Sequence, residues 1–181
     1  MNNYLKLLSA ILLIQLHLFN ACQKATPTNS RAFNAPYTGD YLNRVAFPIG
    51  GIGAGMFCVE GTGALSHFSL RHKPQAYNEP MTFSTLTIKG DKNIAKVLEG
   101  PVRSWKTFGT PGTGNGAGGT SYGLPHFEQV SFLARFPFAT VTLHDEEIPL
   151  EVEINGWSPF IPADADNSSL PVGALEFTFK N

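Results

Sequence analysis

FPIGGIGAGMFCVEGTGALSHFSL, residues Phe47 to Leu70, joins a glycine-rich loop to an alternating run. Six glycines fall between Gly50 and Gly63. Glycine permits positive φ and close backbone approach. Pro48 ahead of them fixes φ and donates nothing to a ladder. A rigid entry therefore leads into a tightly folded loop. The alternating run Ala64, Ser66, Phe68, Leu70 then reads as a strand with those four on one face. A phosphate-cradling loop would end in Gly-Lys-Ser/Thr, which is absent. A dinucleotide fingerprint would need glycine where Met56 stands and a helix afterwards, and Glu60-Gly61-Thr62-Gly63 breaks any helix. The segment reads instead as a turn or bulge element between strands.

Downstream, period-two alternation recurs. Ser84, Leu86 and Ile88 share one face, with Thr85 and Thr87 on the other. Ile94–Leu98 and Val102–Phe108 are shorter strand candidates. Val130, Phe132, Ala134 and Phe136 share a face, as do Ala139, Val141 and Leu143. Ile148, Leu150, Val152 and Ile154 oppose Glu147, Glu151 and Glu153. Leu175, Phe177 and Phe179 alternate with Glu176, Thr178 and Lys180. Such runs are half-buried strands. Turn signals separate them at Gly90-Asp91, Gly100-Pro101, Phe136-Pro137, Asp145-Glu146 and Asn155-Gly156. The fold expected is all-β, an antiparallel β-sandwich.

Upstream, residues 1–21 read as an export signal. Lys6 supplies the charge, and Leu7–Phe19 is mostly Leu and Ile, interrupted by Ser9, Gln15 and His17, and shorter than the ~20 residues that span a bilayer. The run ends Leu18-Phe19-Asn20-Ala21-Cys22, which resembles a bacterial lipoprotein signal with Cys22 as the lipidated residue. Ordinary secretion with cleavage near Ala21 is the alternative. Acyl chains contribute ~0.8 kcal/mol per buried CH₂, enough for two or three to anchor a protein stably. Residues 22–40, with Thr26-Pro27-Thr28-Asn29-Ser30 at their centre, read as a flexible tether. The expected domain is 41–181, in the cell envelope on a membrane anchor.

Loss of Lys6 would leave 12 basic and 14 acidic residues, a net charge of −2. That excludes a basic footprint for nucleic acid. Cys58 would be the sole free thiol, and with Met56 and Phe57 beside it reads as a small buried hydrophobe. No disulfide is expected, so packing must make the core.

Chemistry is sparse. His67, His72, His126 and His144 lack converging metal-ligand spacing, so no metal site is expected. Asp164-Ala-Asp166-Asn-Ser168 starts like a calcium loop. Ser169 replaces its glycine and Leu175 its bidentate glutamate, so Asp and Asn here read as turn formers. No Gly-x-Ser-x-Gly elbow occurs. Glu151 and Glu153 read as a solvated face. Glu60, Glu79, Glu99 and Glu128 lie near turns, and any of them can line a pocket, but nothing in the sequence pairs them. Trp105, Trp157 and Tyr122 are candidates for stacking on a sugar, or core anchors. Thr110–Gly123, nearly all small residues, reads as a mobile surface loop, with a binding face as the alternative. No catalytic residue and no cofactor are assigned.

Several motifs in order carry a resemblance. They are Phe47-Pro-Ile-Gly-Gly-Ile-Gly-Ala-Gly, Val97-Leu98-Glu99-Gly100-Pro101, Gly123-Leu124-Pro125-His126-Phe127-Glu128 and Phe136-Pro137-Phe138-Ala139-Thr140-Val141. Pro159-Phe160-Ile161-Pro162 with Asp164, and Ser168-Ser169-Leu170-Pro171-Val172, complete the set. Residues 41–181 resemble the N-terminal domain of glycoside hydrolase family 116, the non-lysosomal glucosylceramidases and related β-glucosidases. The match weakens around Ser66 to Asn78, where Arg71-His72-Lys73-Pro74 is only loosely similar. The resemblance implies a β-sandwich that partners a C-terminal (α/α)₆ barrel. The barrel would supply the nucleophile and acid/base carboxylates for retaining hydrolysis of β-glycosides. No residue here matches those carboxylates. The expectation is an incomplete N-terminal sandwich, inactive alone, with an exposed apolar surface where barrel and further strands dock. The alternative is a non-catalytic surface lipoprotein that binds carbohydrate or a protein partner through sandwich loops.

Overall fold

The computed structural model describes residues 31–75, 78–107 and 121–181. The chain divides between Phe33 and Asn34, and Asn34–Asn181 forms a compact unit. The signal, Cys22, most of the tether and residues 110–120 of the small-residue loop lie outside the described residues. Asn34–Asn181 carries all the strands among the described residues.

Its fold is all-β and antiparallel. Strands β1 (Ala46–Ile49), β2 (Met56–Glu60), β3 (Leu65–Leu70) and β4 (Lys73–Gln75) form one meander in sequence order. Strands β5 (Thr85–Ile88) and β6 (Ile94–Val97) make a hairpin. Strands β7 (Gln129–Arg135), β8 (Phe138–His144), β9 (Glu151–Trp157) and β10 (Ala174–Lys180) make a second four-stranded meander.

Alternation supplies the core. Phe132 of β7, Ala139, Val141 and Leu143 of β8, and Val152 and Ile154 of β9 are buried, and they pack in one cluster with Ile49 of β1 and Val59 of β2. Leu86 and Ile88 of the hairpin pack on the same cluster. Two sheets thus meet face to face, a sandwich-like arrangement. Tyr37, placed in the tether from sequence, bridges Phe132 through two backbone hydrogen bonds of 2.7 and 3.0 Å.

The glycine-rich stretch is structural, in two parts. Residues 50–55 connect β1 to β2, and Gly61–Gly63 turn β2 into β3. A Cβ on Gly51 would lie 2.1 Å from the Leu170 carbonyl oxygen, so only glycine lets the two loops meet there.

Four strand-level expectations fail, each for a physical reason. The single face for Ala64, Ser66, Phe68 and Leu70 is interrupted by a bulge. Cys58 pairs with Ser66, but Met56 pairs with Ser69, leaving one extra residue on β3. His67 takes φ +53° there. An extra residue switches the faces. Phe68 therefore joins Phe57 in a stack at 6.0 Å, Ser66 is buried, and Leu70 is exposed. The second failure is Val102–Phe108, where Ser104–Thr107 forms one helical turn. The buried ion pairs of Lys106 fix that turn, and tertiary contacts override strand propensity. Third, Asn155-Gly156 is no turn. It lies inside β9, with Gly156 opposite Ala139 and Leu175. A Cβ on Gly156 would sit 2.4 Å from Ile49 Cδ1, so this glycine makes room for the facing sheet. Fourth, Phe136 leaves the face of Val130 and Phe132 because β7 ends at Arg135, and it stands exposed in the β7–β8 turn.

Candidate functional site

The bulge in β3 also places the most unusual chemistry in the domain. It frees the His67 N–H to donate to the Asn78 carbonyl at 3.0 Å, which brings the following Glu79 beside β3. Glu60 stands at the end of β2 and is buried. The helical turn Ser104–Thr107 delivers Lys106, itself only 4% exposed. Its ammonium donates to Glu60 Oε2 at 2.5 Å and to Glu79 Oε1 at 2.8 Å. Tyr122 donates its hydroxyl to the other oxygen of Glu79. Burial, and then that hydrogen bond, push the Tyr122 phenol far above its ordinary range.

Glu99 extends the cluster. Ser121 Oγ donates to its carboxylate at 2.7 Å, and His126 Nε2 lies 3.4 Å away. His126 Nδ1 donates to the Leu124 carbonyl at 2.7 Å. Backbone geometry holds this arm in place. Val97 bridges His126, and the Phe127 N–H donates to Glu99 O at 3.0 Å. Trp105 closes one side, with the Arg44 guanidinium 4.9 Å from its ring centre and its indole Nε1 buried without a partner among the described residues.

Two carboxylates converging on one point invite comparison with a glycosidase pair, whose carboxyl groups stand ~5–5.5 Å or more apart with a sugar between them. Here an ammonium fills that place. The cavity beside it, lined by Glu79, Glu99, Lys106 and Tyr122, holds about 20 Å³, room for one water and not for a sugar ring. The arrangement fixes charges and fastens loops.

A second buried pair fastens the hairpin. Lys96 of β6 donates to Asp145 at 2.5 Å, with Glu147 3.5 Å away. Asp145 also accepts from the backbone N–H groups of Glu128 and Glu147 at 3.1 and 3.0 Å. Burial by itself would raise the Asp145 carboxyl. The Lys96 ammonium and the two N–H groups outweigh it and hold the carboxyl below its usual range. Lys96 is raised in turn: burial disfavours its charge, and the carboxylates of Asp145 and Glu147 more than offset that.

The other residues singled out from sequence fall elsewhere. Glu128 is exposed and joins no cluster through its side chain, and Glu151 and Glu153 lie on the outer face of the second sheet, Glu153 near Lys180. His67 bonds Ser66, and His72 and His144 are exposed. Asp164 accepts from the Asn167 N–H at 3.0 Å and caps a helical turn, the turn-forming role read from sequence. Cys58 is free and buried, and burial followed by the Glu60 charge pushes its thiol up to about 11. Of the stacking candidates, Arg44 lies over Trp105, Tyr122 is tied to Glu79, and Trp157 is half-buried in β9 opposite Phe138 and Ala174. Lys106, Lys96 and Asp145 were missed as site residues. Buried lysines carry no local sequence signature, since their partners lie 46 and 49 positions away.

Fold and site together define a rigid, sandwich-like β domain whose buried charges hold its loops. A family model described as "beta-glucosidase 2, glycosyl-hydrolase family 116 N-term" matches residues 46–181, and the chain belongs to that family. It corresponds to the non-catalytic N-terminal portion of a β-glucosidase-like glycoside hydrolase. No curated protein matches the sequence.

Proposed function

We propose that the domain serves as the N-terminal partner of an (α/α)₆ catalytic domain that hydrolyses β-glycosides with retention. In this reading the sandwich supports the catalytic domain and helps frame its substrate entrance. The observation that carries it is the family match across residues 46–181. The buried Glu60–Lys106–Glu79 cluster supports it, because it ties β2, the helical turn at Ser104–Thr107 and Tyr122 into one body. A rigid frame is what a neighbouring active site requires.

The proposal includes export by residues 1–21 and lipidation at Cys22, supported by the charged, apolar, cysteine-terminated order of that leader. Bacterial expression with radiolabelled palmitate tests the anchor. Label should enter the wild type and vanish in Cys22→Ser; equal label in both contradicts it. For the domain's role, a family 116 catalytic domain is assayed on an aryl β-glucoside with and without the 181-residue chain. The chain should raise its melting temperature or turnover. No effect at saturating chain contradicts the reading.

A further inference from the structure

One end of the domain is unusually apolar. Ile52 of the β1–β2 loop, Phe136 of the β7–β8 turn, and Phe160, Ile161, Leu170 and Val172 of the β9–β10 connection are each 38–64% exposed. The loops that carry them are tied to one another. Phe136 meets Phe160 edge-on at 4.9 Å. The Ile52 N–H donates to Ser168 O at 2.9 Å, and Ser168 Oγ accepts from the Ile161 N–H at 2.9 Å. Gly51 lies directly against the Leu170 carbonyl. Between the loops runs an open groove of about 340 Å³, floored by the backbone of Gly50–Gly55 and walled by Phe136 and Ser158.

Size and charge set this end apart. A large apolar side chain carries roughly 150–200 Å², so six half-exposed ones present on the order of 500 Å². That is at the top of what a soluble monomer ordinarily shows, and such patches mark interaction sites. Residues 47–57, 136–138 and 157–173 contain no lysine, arginine or glutamate, and only Asp164 and Asp166 are charged. The outer face of the second sheet, by contrast, carries Glu151, Glu153, Glu176 and Lys180. A neutral, aromatic-rich face suits a permanent interface better than a transient one. The three loops are already cross-tied, so little ordering entropy opposes docking.

We infer that this glycine-loop end is the face on which the catalytic domain of the glycoside hydrolase seats. The inference rests on the function proposed above and adds its location. The complementary surface on that domain is apolar, with polar groups that meet the exposed backbone of residues 50–55.

The test mixes the 181-residue chain with a folded family 116 catalytic domain and measures association by sedimentation velocity. Ile52→Asp and Phe136→Asp alter exposed side chains, and circular dichroism with thermal melts checks that both fold. Each should weaken association at least tenfold, while Glu151→Lys on the outer sheet face stays within twofold. Hydroxyl-radical footprinting of the wild-type mixture should protect Phe136 and Phe160. Equal binding by all variants, with no such protection, overturns the location and leaves domain pairing standing. A wild type that does not bind overturns the pairing, and this inference with it. Self-association of the chain that Phe136→Asp abolishes assigns the face to a second copy and likewise overturns the inference.

Discussion

Replacing Lys106 with methionine keeps the length of the side chain and removes its charge. In the wild type one ammonium, almost wholly buried, serves Glu60 at 2.5 Å and Glu79 at 2.8 Å. Methionine leaves both carboxylates in a poorly solvated pocket with no cation between them. Removing one partner of a buried ion pair typically costs 3–5 kcal/mol. With two acids dependent on one base, the upper part of that range applies, about 4–5 kcal/mol. A domain of this size has roughly 5–15 kcal/mol of stability in total. Each kcal/mol shifts the midpoint by roughly 3–5 °C, so Lys106→Met should melt roughly 12–25 °C lower than the wild type. Glu79→Gln is the control. The amide oxygen still accepts from Lys106 and the amide NH₂ can donate to the Tyr122 oxygen, so the loss should stay near ~1–2 kcal/mol. Differential scanning calorimetry on both variants and the double variant gives the coupling directly. A Lys106→Met melt within 2 °C of the wild type would refute the idea that this cluster holds the loops together.

Other consequences follow from the same structure. Asp145→Asn should lose about 3 kcal/mol at pH 7. The folded carboxyl lies below 3.8 and Lys96 above 10.5, so the pair's stabilisation is full between those values. It fades as pH falls through the folded Asp145 value or rises through the folded Lys96 value. Urea titrations from pH 2 to 8 should show the variant's deficit shrinking only at the acid end; a deficit independent of pH would contradict the assignment. In a Cys22→Ser background, the thiol at Cys58, pushed up to about 11, should resist an aromatic disulfide reagent at pH 8 and react fully in denaturant. Rapid stoichiometric labelling of the native protein would show that it is exposed. Gly156→Ala sets a methyl against Ile49 and should cost roughly 1–3 kcal/mol by overpacking, read as a lower urea midpoint. An unchanged midpoint would mean that the facing sheets are not in contact there.

The fold was largely legible because period two is a strong signal where one sheet face is buried. Ala139, Val141 and Leu143, and then Val152 and Ile154, alternate cleanly and are all buried. What was hidden depends on contacts distant in sequence. Nothing near Gly156 announces that Ile49 will need its space, so the glycine read as a turn. The β3 bulge adds one residue without any proline or glycine at His67 to mark it. The site was the least legible part. Glu60, Glu79 and Glu99 were named as pocket candidates without a pairing, and the lysine that joins the first two sits in a segment read as strand. Family motifs succeeded where local rules stopped, because an ordered set of short motifs records tertiary constraints that no single window contains.

The buried acids of this domain are fixed structural charges, and in the function proposed above hydrolysis belongs to a partner domain. Steady-state turnover of a nitrophenyl β-glucoside by the purified 181-residue chain tests it most directly. The rate should be indistinguishable from buffer, and unchanged in Glu60→Gln and Glu79→Gln. Clear turnover by the wild type, abolished by either substitution, would contradict it.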